Sequence, residues 1–176
     1  VHMPAHIDIR MGQWEQACES NRRAVIADAR YQKLSPRQGF YRVYMAHNHH
    51  FLSFACMMQG RQSESLAAAR DMIAGVPDEF LTDAAPLIDP YLSIELDALM
   101  RFGRWNDILQ LPEPRDTLPI TRAMWRFGRA VSFAALGRLD EARSERDRFL
   151  EARKAVPEHA MMAINPAHKV LAIAGH

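Results

Sequence analysis

The chain has 176 residues, 48% of them apolar, enough to bury a core without disulfide or metal staples. Its 22 basic and 21 acidic residues leave a net charge of +1, which excludes a global field drawing the chain to nucleic acid or to a membrane surface. No apolar run reaches the ~18 residues of a membrane span, and two cysteines, Cys18 and Cys56, make no disulfide framework, so a reducing, cytoplasmic compartment is expected.

Helical periodicity runs almost from end to end. Residues 4–11 read as the end of a first helix, entered through Pro4, a residue that the first turn tolerates. Gly12 breaks it, and Trp14, Ala17, Cys18, Ala24, Val25 and Ala29 make an apolar stripe on the next helix. Ser35-Pro36 punctuates. Long helices are predicted over about 40–59 and 61–76, the second stopped by Pro77. Residues 78–90 are irregular, with room for one short helix. Asp89-Pro90 then opens a helix that runs to Gly103, with Asp89 as its N-cap. The segment from Arg104 is cut short by Pro112 and Pro114. A last pair spans 119–136 and 138–156, stopped by Pro157, and Asn165-Pro166 opens an apolar helix over 167–174 without a partner. No segment alternates as a strand does.

Gly12, Gly60, Gly103 and Gly137 each separate two helical stretches, at spacings of 48, 43 and 34 residues. Such spacings belong to stacked helical hairpins. One hairpin cannot cover its own apolar face, so neighbours are expected to stack into an α-solenoid. The predicted class is all-α, with about four antiparallel helix pairs in one domain over 1–176. An abrupt first helix and an unpartnered last one suggest a piece of a longer repeat protein, or a chain that pairs its end helices with a second copy as a homo-oligomer.

At the glycine-centred pairs the chain resembles the tetratricopeptide repeat family. That pattern places a small residue seven before the glycine, which Ala5, Ser53 and Ala130 fit and Leu96 does not. It places a bulky residue two after, which Trp14, Trp105 and Leu139 fit and Gln62 does not, and a small one five after, which Ala17, Ser65 and Ala142 fit and Ile108 does not. The segments His2-Met3-Pro4-Ala5-His6-Ile7-Asp8-Ile9-Arg10-Met11-Gly12 and His47-Asn48-His49-His50-Phe51-Leu52 are also similar to a group of long bacterial tetratricopeptide proteins. The resemblance implies a right-handed solenoid whose first helices line a concave groove, at sites thirteen, ten and six residues before each glycine.

Those offsets select His2 and His6 on the first pair, His47 and His50 on the second, and Asp97 on the third. Arg10 and Arg101, two before their glycines, sit at the groove edge and carry the fork that suits a carboxylate. Chaperone-binding tetratricopeptide domains hold a terminal carboxylate with lysines and asparagines. Here the matching sites are His2, His50, Ser93 and Phe127, then His6, Phe54, Asp97 and Val131, a different set.

Two readings follow. The first is a protein-interaction scaffold that receives a partner peptide or helix, using Phe51 and Phe54 for apolar burial and His6, His47, His50, Asp97 and Arg101 as polar anchors. The second is a metal-binding or metal-dependent module, since histidine pairs at i,i+4 and i,i+3 on adjoining helices suit Zn²⁺ or another nitrogen-preferring ion at His2, His6, His47 and His50. The bland alternative has the imidazoles hydrogen-bonding between helices. No catalytic constellation stands out, because Ser53 beside His50 lacks any oxyanion device. The stripe Arg122, Arg126 and Arg129 is read as a solvated face neutralised by Asp140, Glu141, Glu145 and Asp147 rather than as a nucleic-acid patch.

Overall fold

In the computed structural model, which describes residues 1–35 and 39–175, all four glycine turns have one construction. Gly12, Gly60, Gly103 and Gly137 take φ of +72°, +72°, +65° and +74°, where a β-carbon would be strained. The next backbone N–H, on Gln13, Arg61, Arg104 and Arg138, donates to the carbonyl five residues back, on Asp8, Cys56, Leu99 and Phe133, at 2.8 or 2.9 Å. This Schellman closure satisfies carbonyls that the ending helix leaves without partners. The periodicity in the sequence is therefore a periodicity of one turn, and each turn folds a helix back on the one before it.

The described chain is predominantly helical, and its contacts divide it into two compact units, Val1–Pro77 and Asp78–His176. The first holds α1 (Ala5–Arg10), α2 (Trp14–Leu34), α3 (Tyr41–Met58) and α4 (Gln62–Ala74). Helix α2 stops at Leu34, and Pro36 of the expected punctuation lies outside the described residues. The core is built largely from small residues: Ala5, Ala17, Cys18, Ala55, Cys56 and Ala68 pack with Phe51 and Leu52. Small side chains let helix backbones approach, and α3 meets α4 in this way where the Ser65 hydroxyl donates to the Ser53 carbonyl at 3.0 Å. The buried carboxylate of Asp28 joins α2 to α3 by accepting from Asn48 Nδ2 at 2.7 Å and from the Tyr41 hydroxyl at 3.2 Å.

The second unit holds α5 (Phe80–Asp83), α6 (Ala85–Ile88), a 3-10 turn (Asp89–Tyr91), α7 (Ile94–Arg101), α8 (Trp105–Gln110), α9 (Pro119–Ala135), α10 (Leu139–Lys154) and α11 (Ala167–Ala174). The irregular zone thus contains two short helices where one was expected. Met161–Met162 and Asn165–Pro166 form a two-residue antiparallel ladder, β1 and β2, against the expectation of no strand. A ladder of that length leaves no alternation for a sequence to display.

Asp89 does not cap the helix it precedes. Its buried carboxylate accepts from the backbone N–H groups of Ile120 and Thr121, both at 2.8 Å, while the Thr121 hydroxyl donates to the Asp89 carbonyl at 2.7 Å. It therefore caps α9, whose own N-cap residue, Leu118, has no side chain able to do so. Burial pushes the Asp89 carboxyl up from the usual carboxylate range, opposed by these same hydrogen bonds.

The two departures from the small-residue pattern, Leu96 and Ile108, are both buried. Leu96 is accommodated by Gly128 on α9. A β-carbon added to Gly128 would lie 2.4 Å from the Leu96 Cδ1. The small partner in this contact stands on the neighbouring helix.

Candidate metal centre

Two helices of the first unit, and the turn that enters one of them, converge on one cluster of rings. His47 projects from α3, and His6 from the first turn of α1. His2 precedes α1, in a turn closed by the Ala5 N–H donating to the His2 carbonyl at 3.0 Å. Ring centroids lie 4.7 Å apart for His2 and His6, 4.8 Å for His2 and His47, and 5.6 Å for His6 and His47. Phe51, one turn beyond His47, floors the group at 5.0, 4.7 and 5.3 Å from the three imidazoles. One ring nitrogen from each histidine lies within 4.8 Å of the other two, and among the described residues this is the one trio placed to share an ion. Ligand nitrogens in a tetrahedral zinc site stand about 3.3 Å apart, so binding an ion requires the set to draw together by up to about 1.5 Å.

The sequence reading missed Asn21, which sets the chemistry of the cluster. This residue of α2 is fully buried, and its Nδ2 donates to the Ala17 carbonyl at 2.7 Å, which fixes the direction of the amide. The Asn21 Oδ1 is thereby aimed at His2 Nδ1, 2.7 Å away, and a carbonyl oxygen can only accept. The proton of neutral His2 thus sits on Nδ1, and the Nε2 lone pair faces the cluster, where His6 Nε2 lies at 2.9 Å. An outer-shell acceptor that sets a histidine's tautomer and ring direction is the usual support for metal-ligating imidazoles. A signal for it existed, since Asn21 interrupts the apolar stripe of α2 between Cys18 and Ala24.

Burial disfavours the charged form of two of the three rings. It pushes His47 down to about 4, with the charges of His2, His50 and His6 adding to the effect, and it lowers His6, with His2 adding. Imidazoles that resist protonation keep lone pairs available for a metal at neutral pH.

The other expected site residues are not gathered here. His50 lies outside the trio and is half-buried, its titration pushed down to about 4 by burial. Phe51 is 8% exposed beneath the histidine rings, so it is closed to a partner's side chain. Phe54 is 37% exposed, with its ring centroid 6.1 Å from that of Trp14. Asp97 and Arg101 belong to α7 of the second unit. Burial pushes the Asp97 carboxyl up to about 6, opposed by the Ser93 hydroxyl donating to Oδ2 at 3.4 Å, and Arg101 is exposed at the end of the helix.

The arginine stripe is ion-paired, with Glu145 alone of the expected partners and with Glu113 and Asp116 in place of the other three. Glu145 receives Arg126 and Arg129, Glu113 receives Arg122 and Arg126, and Asp116 receives Arg122. Asp140, Glu141 and Asp147 pair instead with Arg143, Arg138 and Arg146 of their own segment. No described helix is long and apolar enough to cross a membrane.

Comparison of the chain with family models, with curated proteins and with solved structures returns no significant match.

Proposed function

We propose that the first unit is a transition-metal-binding module in which His2, His6 and His47 hold one Zn²⁺ or similar divalent ion. The observation that carries this reading is the convergence of three imidazoles from α1, its entry turn and α3, with Asn21 turning His2 Nε2 toward the other two rings. Nitrogen donors suit Zn²⁺, Cu²⁺, Ni²⁺ or Co²⁺, whereas Ca²⁺ and Mg²⁺ prefer oxygen. Three protein ligands leave a fourth position for water or a small ligand.

The test uses untagged protein stripped with chelator and titrated with Zn²⁺ against a chromophoric competitor. One ion per chain is expected for the wild type and for His50→Ala, with uptake lost in His47→Ala. At a free zinc concentration one hundred times Kd, the wild type gains roughly 2.7 kcal/mol of stability. Absence of uptake, or equal uptake by His47→Ala, sinks the proposal.

A second reading, of the helix pairs as tetratricopeptide-like repeats of a right-handed solenoid that grips a partner peptide or helix, is supported by the four matching turns. It also draws on a groove of about 370 Å³ in the second unit, lined by Phe127, Ala130, Val131, Leu139, Ala142 and Phe149. Phe127 and Val131 occupy the concave sites that the family pattern assigns. A partner recovered by the wild type and equally by Phe127→Ala counts against the groove.

A further inference from the structure

Cys18 of α2 and Cys56 of α3 face each other in the core of the first unit, sulfur to sulfur at 3.5 Å, both as free thiols and both without exposed surface. A buried thiol is ordinarily an inert small hydrophobe. Two observations set this pair apart.

The first is the nature of its cover. The Cys18 thiol donates to Gln59 Oε1 at 3.5 Å, and Gln59 Nε2 donates to Glu15 Oε2 at 3.0 Å. Arg22 pairs with Glu64 at 2.5 Å, and Arg61 pairs with Glu15. The charged side chains in this network are 27–51% exposed. Long polar side chains in contact with water therefore border the sulfurs, and movement of Gln59 opens a path that rigid backbone would not.

The second is asymmetry. The Cys56 thiol donates to Cys18, and the guanidinium groups of Arg22 and Arg61 add positive charge, so Cys18 ionises below its ordinary range against the opposing effects of burial and Glu64. Cys56 is pushed up by the same hydrogen bond and by burial. One sulfur is thus prepared as a nucleophile while its neighbour keeps its proton.

We propose that Cys18 and Cys56 form a peroxide-oxidisable dithiol, a modification site that closes to a disulfide stapling α2 to α3. The Cys18 thiolate attacks one oxygen of hydrogen peroxide, the O–O bond breaks, and the departing hydroxide takes a proton to become water, leaving a sulfenic acid. The Cys56 sulfur then attacks the Cys18 sulfur. The S–S bond forms, the S–O bond breaks, and the second hydroxide leaves as water with the proton from Cys56. Two thiols are oxidised by two electrons and one peroxide is reduced to two waters. The sulfurs close by about 1.5 Å to reach disulfide length, a movement in reach of side-chain rotation with a small helix adjustment. This inference is independent of the metal reading.

The test exposes the full chain to hydrogen peroxide in the presence of a chelator, quenches the reaction, denatures the protein and treats it with N-ethylmaleimide before peptide mass mapping. Met3 and Met11, 70% and 69% exposed, report that the oxidant was effective. The expected result is a monomer in which neither cysteine takes the reagent, a linked Cys18–Cys56 peptide pair, and full reversal by dithiothreitol. Cys56→Ser should stop at a sulfenic acid on Cys18 that dimedone traps, and Cys18→Ser should leave Cys56 reacting at least ~10-fold more slowly. Both cysteines fully alkylated while Met3 and Met11 are oxidised overturns the proposal, as does a disulfide between chains or a sulfinic acid without the internal link. The wild-type readout decides the matter even where a variant fails to fold.

Discussion

In the second unit, Glu145 lies 3% exposed and accepts from Arg126 at 3.1 Å and Arg129 at 3.2 Å, while the two guanidiniums stand 4.5 and 4.8 Å from the centre of the Trp125 ring. Arg129 also donates to the Leu109 carbonyl at 3.0 Å, and the Trp125 Nε1 donates to that of Leu111 at 3.2 Å. In the first unit, His2, His6 and His47 meet with one hydrogen bond between them, and burial suppresses charge on His6 and His47. The first arrangement is closed, because each charge is matched and the stacked groups lock α9 to α10 and to the segment after α8. The second is held by fewer partners, since His2 accepts from His6 and His47 meets the pair only through ring contacts. Matched polar groups hold a fold together, whereas nitrogen donors so lightly bonded can exchange their partners for an ion.

The sharpest break of that contrast is at the closed end. Glu145→Ala leaves Arg129 over Trp125 without a carboxylate and Arg126 with Glu113 alone, and should cost about 3 kcal/mol in urea unfolding. A loss within a few tenths of a kcal/mol would show that the network is solvated decoration. Asp89→Ala removes two backbone partners from the start of α9 and should cost roughly 2–3 kcal/mol. Asp89→Asn, which keeps one acceptor oxygen, should recover part of that loss.

At the lightly bonded end the effects are smaller and depend on conditions. His47 and His50 titrate near 4 in the folded chain and near 6.5 when unfolded. Between those values the unfolded chain binds protons that the folded one does not, so stability falls as pH falls from about 6.5 toward 4. After discounting for partial exposure, the metal-free protein should lose on the order of 2 kcal/mol across that window relative to a His47→Gln/His50→Gln double variant. Parallel profiles for the two proteins would contradict it. The smallest effect is at Asn21. Asn21→Ala frees the His2 tautomer and should weaken zinc binding at least ~10-fold, leaving one ion per chain at saturation. Unchanged affinity would remove Asn21 from the centre.

The turns were the most legible part of the molecule, because glycine in the left-handed region is a local requirement that sequence states directly. The site was legible in part. Counting back from Gly12 and Gly60 brought His2, His6 and His47 to one face, yet it also admitted His50. On a helix of about 100° per residue, Phe51 lies some 40° to one side of His47 and His50 some 60° to the other. Since the cluster rests on Phe51, His50 is turned out of it. Asn21 and Asp89 were harder, since each acts on an element remote in sequence. Asp89 bonds α9 across 31 residues, and no local pattern encodes a cap supplied from that distance.

The contact of Leu96 with Gly128 carries a consequence for how such chains vary. Bulk at this crossing is shared by two positions and assigned to neither, so a reading of one helix alone registers Leu96 as a mismatch. The pair can exchange its sizes: alanine at 96 opens the volume that a methyl group at 128 needs. Each change alone leaves a void or a collision, and the two together restore the fit. Substitutions here are to be judged by twos, as a lock is judged with its key.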